Sequence, residues 1–266
     1  MFRVALIDLS GTLHIGDHVT PEAPHALQRL RDSGVKVRFV TNTTKESSMK
    51  LHTRLRSLGF DIDRNEIFSS LIAARDYVRE HHLRPYLFIH DDAMEDFKEL
   101  EGQLNLNAVL VGLAPDKFNY DKLNEAFQIL LNGGQLVAIH KGRYYRADRG
   151  LALGPGPFVA GFEYATGVKA EVVGKPNKVF FHQALHGLTE KPEEAVMIGD
   201  DIMDDIQGAM DAGMAAILVK TGKYLAGDEL KTQRRPTAAV SNFDQAVDFI
   251  IQHNRDKTGQ GGSKRP

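Results

Sequence analysis

Val4-Ala5-Leu6-Ile7-Asp8-Leu9-Ser10-Gly11-Thr12-Leu13 opens the chain with an apolar run that ends in a carboxylate, a hydroxyl and a glycine. A short apolar run, partly β-branched and closed by a turn signal, reads as a buried strand of a parallel sheet. Gly11 lets the chain turn tightly directly after it. In open α/β sheets ligands bind beyond the carboxyl ends of the strands. Chemistry is therefore to be sought in the residues just after each such run.

Similar runs occur at residues 35–40, 86–89, 108–111, 136–139, 195–198 and 216–219. Helical patterns lie between them, at 22–33, 46–58, 121–132, 177–187 and 202–212. In the last, Ile202, Ile206, Ala209 and Met210 recur at helical spacing and Gly213 reads as a C-cap. Strand–helix alternation predicts an α/β fold, a Rossmann-like three-layer core with a parallel sheet. From about Arg84 to Val173 the chain builds strands and helices of its own, punctuated by Leu153-Gly154-Pro155-Gly156-Pro157. Pattern alone leaves open whether this is a second domain.

The totals agree with a globular chain. There are 266 residues, long enough for a core domain with a smaller one inserted. Net charge is −2, so nothing points to a nucleic-acid or membrane-surface partner. The absence of cysteine excludes disulfides, thiolate metal sites and a Cys nucleophile. No stretch has the length and apolarity of a membrane-spanning helix, and the start reads as no signal peptide, so a cytoplasmic protein is expected. Residues 253–266 are polar and rich in Gly, Lys and Arg, and read as a disordered tail.

Four strand ends carry reactive groups. After Asp8 come Leu9 and Ser10; after the second run, Thr41-Asn42-Thr43-Thr44-Lys45; then Gly174-Lys175-Pro176; and finally Gly199-Asp200-Asp201 with Asp204-Asp205 beyond. Asp8 and Asp200 at neighbouring strand ends repel each other, and a divalent cation resolves that. Mg²⁺ takes hard oxygen ligands, usually one or two carboxylates, waters and a substrate phosphate. Lys175 adds a positive charge, Thr41 a hydroxyl and Asn42 an amide. Together they supply the positioning and electrostatics of phosphoryl transfer, and Asp is a known nucleophile in aspartyl-phosphate chemistry. Each piece also has a plain structural reading. Asp8 and Ser10 can open a turn, Thr43 and Glu46 can form a capping box, Lys175 can face solvent, and Asp200-Asp201 can cap a helix. The weight lies in four such ends occurring together, in this order.

That set resembles the four motifs of the haloacid dehalogenase superfamily: Asp8-Leu9-Ser10-Gly11-Thr12, Thr41-Asn42, Lys175, and Gly199-Asp200-Asp201 with Asp205. Phe39-Val40-Thr41-Asn42-Thr43-Thr44, with the long insert before Lys175, is similar to the branch that carries an α/β cap, the NagD-like or p-nitrophenyl-phosphatase-like class. The stretches 138–141 and 151–158 narrow the likeness within that branch. The resemblance implies a core at residues 1–83 and 174–252, a cap at 84–173 and the tail at 253–266. It implies Asp8 as nucleophile and Mg²⁺ held by the Asp8 carboxylate, the Ser10 carbonyl and Asp200. Asp8, Leu9, Ser10, Thr41, Asn42 and Lys175 would bind the phosphoryl group, and Asp201 and Asp205 would orient bound water or the loop. The partner implied is a small-molecule or protein-borne phosphorylated substrate, and the class allows a homodimer. His140, Lys141, Arg143 and Tyr144 are candidates for contact from the cap, against the plain reading of inert loop residues.

The chain departs from the family pattern at Ser10. Most phosphatases of the superfamily place a second Asp two residues after the nucleophile, where it exchanges protons with the leaving atom and the attacking water. A hydroxyl is a poor acid and base at neutral pH. General acid–base help is worth roughly 10²–10⁴-fold, or about 3–5 kcal/mol of barrier. Alkyl esters should then be slow, and substrates with better leaving groups favoured: phosphoramidates, pyrophosphate, aryl phosphates. His14 is an alternative proton source. The same fact supports a second class of function, a weak or inactive module that binds Mg²⁺ and phosphorylated ligands or partners. Dehalogenation fits the motif-four carboxylates less well.

Overall fold

The computed structural model describes residues 1–147, 150–189 and 191–260. The chain forms two compact units, one of Met1–Thr41, His52–Phe68 and Lys175–Pro266, the other of Asn42–Leu51 and Ser69–Gly174.

A six-stranded sheet forms the first unit, in the order Ala238–Val240, Ala215–Val219, Ala195–Gly199, Val4–Asp8, Lys36–Thr41, Ile67–Ser69. Val4–Asp8 pairs in parallel with Lys36–Thr41 on one side and Ala195–Gly199 on the other. Its register sets Asp8 opposite Val40 and Ile7 opposite Ile198. All five of its residues are buried, as a central strand covered on both faces requires. The chain leaves this strand first to one side and returns much later on the other. Such a reversal opens a crevice at the carboxyl ends, and the residues read as reactive stand there.

Helices cover the sheet. Ala23–Asp32 packs beside Phe243–Gln260, with Arg29 between Asp244 and Asp248 at 2.5 and 2.6 Å. Lys178–Leu185 is capped by Asn177, whose side chain accepts from the Val179 amide. It packs beside Gly208–Asp211, where a Cβ at Gly208 would lie 2.8 Å from Phe181.

The second unit holds a four-stranded parallel sheet, Glu171–Val172, Gln135–Ala138, Ala108–Val111, Pro85–Phe88. Its cores take Phe97, Leu110, Val137 and Ile139 on one side and Phe88, Val109, Leu136 and Phe162 on the other.

Three expectations are corrected. Residues 42–51 and 69–83 belong to the second unit rather than the first. Ser48 explains the former: its amide and hydroxyl both donate to buried Asp96, at 2.7 and 2.8 Å. Leu71, Ala74 and Val78 of helix Ser70–Glu80 explain the latter, because they join the Phe97 cluster. The helix expected from residue 46 starts at Ser48, so Thr43 does not stand at its N-cap. Finally, helix Phe243–Gln260 occupies the start of the expected tail. The His253 ring stacks on Phe2 at 4.5 Å, and Asn254 exchanges two hydrogen bonds with the Phe2 backbone. Residues 261–266 lie outside the described residues. Among those described, no helix is long and apolar enough to cross a membrane.

Candidate active site

Asp8 ends the central strand, and the loop after it is tightly bonded. The Leu9 carbonyl accepts from Thr12 and Leu13 amides at 3.2 and 2.9 Å, and the Gly11 amide donates to the His14 carbonyl at 2.7 Å. Leu9 is buried in the core, whereas the Ser10 side chain is exposed. His14 is buried with Nδ1 2.8 Å from the Gly16 carbonyl oxygen.

Lys175 ties the ends of two strands to the segment Ile202–Gln207. Its Nζ donates to Asp8 Oδ1 at 2.6 Å, to Asp205 Oδ1 at 2.5 Å and to the Val40 carbonyl at 3.4 Å. The side chain is only 3 % exposed. Burial works against its charge, but Asp205 and Asp8 outweigh that and hold the ammonium above its usual range. The reading of Lys175 in solvent is thereby excluded. Thr41, also buried, ends the strand beside Asp8, one residue past the Asp8–Val40 pair. Asn42 follows it in the chain and begins the second unit.

Asp200 and Asp201 take different parts. Asp201 caps the next helical segment, its Oδ1 accepting from the Met203 and Asp204 amides at 3.0 Å each. Ile202–Gln207 is wound as a π-helix, with the Ile206 amide on the Asp201 carbonyl, before the chain becomes α-helical at Gly208. Sequence periodicity predicts an α-helix throughout; wide turns of this kind are frequent at functional sites. Asp205, on this segment, puts Oδ1 on Lys175 and receives the Asp201 amide on Oδ2 at 3.2 Å. Burial pushes its carboxyl well above the usual range, with Lys175 pulling the other way.

Asp200 is 1 % exposed. Its Oδ2 accepts from the Lys223 amide at 2.6 Å, while among the described residues Oδ1 is buried with no hydrogen-bond partner. Burial and the charge of Asp8 push its carboxyl up to about 7. Burial and Asp201 similarly raise half-buried Asp204 to about 6.

These observations test the fit of a metal ion. Carboxylate oxygens of Asp8, Asp200 and Asp205 lie within 4.8 Å of one another. An orphaned buried oxygen, a carboxylate that resists ionisation and an all-oxygen donor set suit a hard divalent cation. Asp205 is already engaged at both oxygens, so it fits an anchor for Lys175 better than a ligand. Asp8 and Asp200 fit the ligand role expected of them.

Sequence reasoning missed one contributor, the loop after Ala215–Val219. Thr221 Oγ1 donates to the Gly11 carbonyl, and Lys223 Nζ lies 3.1 Å from Asp201 Oδ2. The signal was present: this run too is a strand, and its carboxyl end reads Lys220-Thr221-Gly222-Lys223. His140, Lys141, Arg143 and Tyr144 make local contacts in the second unit. The His140 ring accepts from the Gly142 amide, Lys141 pairs with Glu163 at 2.7 Å, and Arg143 lies over the Tyr144 ring.

A parallel sheet whose strand ends gather two carboxylates, a buried lysine and an acidic loop is the design of the haloacid dehalogenase-like hydrolases, and the chain belongs to that family. The family model of that description matches residues 5–103, and a second, described as HAD-hydrolase-like, matches 172–246. Within the family the chain is 56% identical over 251 residues to human haloacid dehalogenase-like hydrolase domain-containing protein 2, covering 94% of this chain and 96% of the relative. It is 40% identical over 257 residues to human phospholysine phosphohistidine inorganic pyrophosphate phosphatase, covering 94% and 95%. The crystal structure of 4-nitrophenylphosphatase from Thermotoga maritima shares the fold, with a TM-score of 0.85 at 21% identity over 93% of this chain and 97% of that one.

Proposed function

We propose that the chain is a Mg²⁺-dependent phosphatase that works through an aspartyl-phosphate on Asp8. The observation that carries this reading is Lys175, buried between Asp8 and Asp205, whose carboxylates cluster with that of Asp200 and its orphaned oxygen. An oxygen of Asp8 forms a bond to phosphorus as the bond to the leaving atom breaks. Water then attacks phosphorus, the Asp8 oxygen leaves as carboxylate, and phosphate and a proton are released. Lys175 holds Asp8 in line and contributes positive charge toward the phosphoryl oxygens. The Thr41 hydroxyl and the chain-adjacent Asn42 amide donate to those oxygens. Asp8 and Asp200, with the Ser10 carbonyl, would hold Mg²⁺, which when bound neutralises charge on the transferring group.

Ser10 directs the substrate class. With no carboxyl there, the leaving atom must depart with little help, which favours P–N bonds, pyrophosphate and aryl phosphates. The relative named as a phospholysine, phosphohistidine and pyrophosphate phosphatase supports this choice. In this reading the substrate is a small-molecule or protein-borne phosphate in the cytoplasm; a homodimer is compatible with it.

The test is phosphate release, with and without Mg²⁺, from a phosphoramidate, pyrophosphate, an aryl phosphate and sugar phosphates. Preference for the first three, abolished by Asp8→Asn, is the expected result. Silence on the whole panel, with Mg²⁺ still bound, would replace the phosphatase by a binding module.

A further inference from the structure

One loop engages both motif-four carboxylates by different atoms. The Lys223 amide donates to Asp200 Oδ2 at 2.6 Å, and its ammonium lies 3.1 Å from Asp201 Oδ2. The loop has little freedom to do otherwise. Gly222 has a φ of 54°, and a Cβ there would lie 2.1 Å from Asp200 Oδ2 and 2.5 Å from the Gly11 Cα. Thr221 closes the other side on the Gly11 carbonyl.

The consequence for the two carboxylates is opposite. Asp200 keeps one buried oxygen without a partner among the described residues. Asp201 keeps none: Oδ1 serves the Met203 and Asp204 amides, and Oδ2 serves Lys223. Adjacent in sequence and alike in chemistry, they are told apart by what occupies their oxygens.

We propose that Lys223 is a positioning residue that decides which of the two carboxylates is offered to a divalent cation. Its amide turns Asp200 so that one oxygen remains for the ion, and its ammonium withholds Asp201 from it. The proposal rests on the reading of Asp200 as a metal ligand. The Lys223 side chain is 65% exposed, so removing it need not disturb the core, and its through-space effect is screened by solvent. What its removal does is release Asp201 Oδ2. The freed carboxylate becomes an additional hard oxygen for the cation, so the cation binds more tightly. The same change leaves more negative charge facing an anionic substrate, which binds less well. A role in folding alone would weaken both.

Mn²⁺ binding to the full chain, followed by electron paramagnetic resonance without substrate, tests this independently of turnover. Lys223→Met should bind Mn²⁺ roughly three- to fivefold more tightly, and its KM for an aryl phosphate should rise by a similar factor. Lys223→Arg should restore both. In an Asp201→Asn background, Lys223→Met should leave the Mn²⁺ affinity unchanged. Wild-type protein that binds no Mn²⁺ would sink the metal reading and this inference with it. Wild type that binds Mn²⁺, with Lys223→Met equal or weaker, overturns the positioning role alone. So does tightening that persists in the Asp201→Asn background, since it would then come from charge and not from Asp201.

Discussion

Lys175 Nζ lies 2.6 Å from Asp8 Oδ1, although 167 residues separate the two. The pair is buried, and its partner Asp205 receives the same ammonium from the other side. Removing one member of a buried charge network leaves the others uncompensated. Lys175→Met should therefore cost about 3–5 kcal/mol of stability near neutral pH and abolish phosphate release. Asp205 is already pushed up by burial, and Lys175 is what opposes that. Without the lysine its folded-state carboxyl rises further above the unfolded value. The variant should then be most stable in acid and lose stability as pH rises through the raised value. Urea unfolding of both proteins across pH 5–8 checks the sign; a penalty that shrinks toward high pH would contradict it.

Ser10 offers a gain-of-function variant. Its side chain is exposed, so Ser10→Asp adds a carboxylate without burying it. Turnover of alkyl phosphate esters should rise by roughly 10²–10⁴-fold, with a smaller gain on aryl phosphates. Parallel assays on a sugar phosphate and an aryl phosphate read the difference. Equal gains on both would mean that leaving-group protonation is not what Ser10 lacks.

Gly222→Ala should disable the site by steric means. The backbone there is left-handed and the new methyl would meet Asp200 Oδ2 at 2.1 Å. Asp200 or the loop must move. We expect Mn²⁺ affinity to fall by more than about tenfold and stability by about 1–3 kcal/mol. Metal titration and thermal unfolding measure the two separately. Unchanged metal affinity would show that Asp200 tolerates displacement.

In the second unit, Glu163 accepts from Lys141 at 2.7 Å and from the Ala170 amide at 3.0 Å. The Lys141 hydrogen bond, then the Ala170 amide, hold its carboxyl below the usual range. A lowered folded-state value means stability present above the unfolded value and lost as pH falls through the folded one. Glu163→Gln should cost about 1 kcal/mol at pH 7, and the cost should shrink as pH falls through the lowered folded-state value. Thermal unfolding of the full chain at pH 7 and in progressively stronger acid decides it. A deficit that survives in acid would point to packing.

The α/β class and most of the strand ends were legible because their signals are local. The runs at 108–111 and 195–198 agree with Ala108–Val111 and Ala195–Gly199 nearly residue for residue. Strands of two or three residues, such as Glu171–Val172 and Ala238–Val240, are too short to show a period, and their pairing exists only in the sheet. Asp8 and Asp200 could be named in advance because a reactive residue after an apolar run is itself a local signal; Lys175 follows no such run and was legible only as one member of the four-motif set.

Partners across the chain were not legible. Nothing near Ser48 announces Asp96, and nothing near Asp200 announces Lys223. The likeness of Asp200 to Asp201 in sequence hides their difference in role, which lies in the hydrogen bonds each oxygen makes. Residue type and spacing by themselves determined which chemistry this chain can carry and at which strand ends. Tertiary structure decided which carboxylate keeps an open oxygen, which one anchors Lys175, and to which unit residues 42–51 belong. Those outcomes depend on side chains meeting across long stretches of sequence, and only packing brings them together.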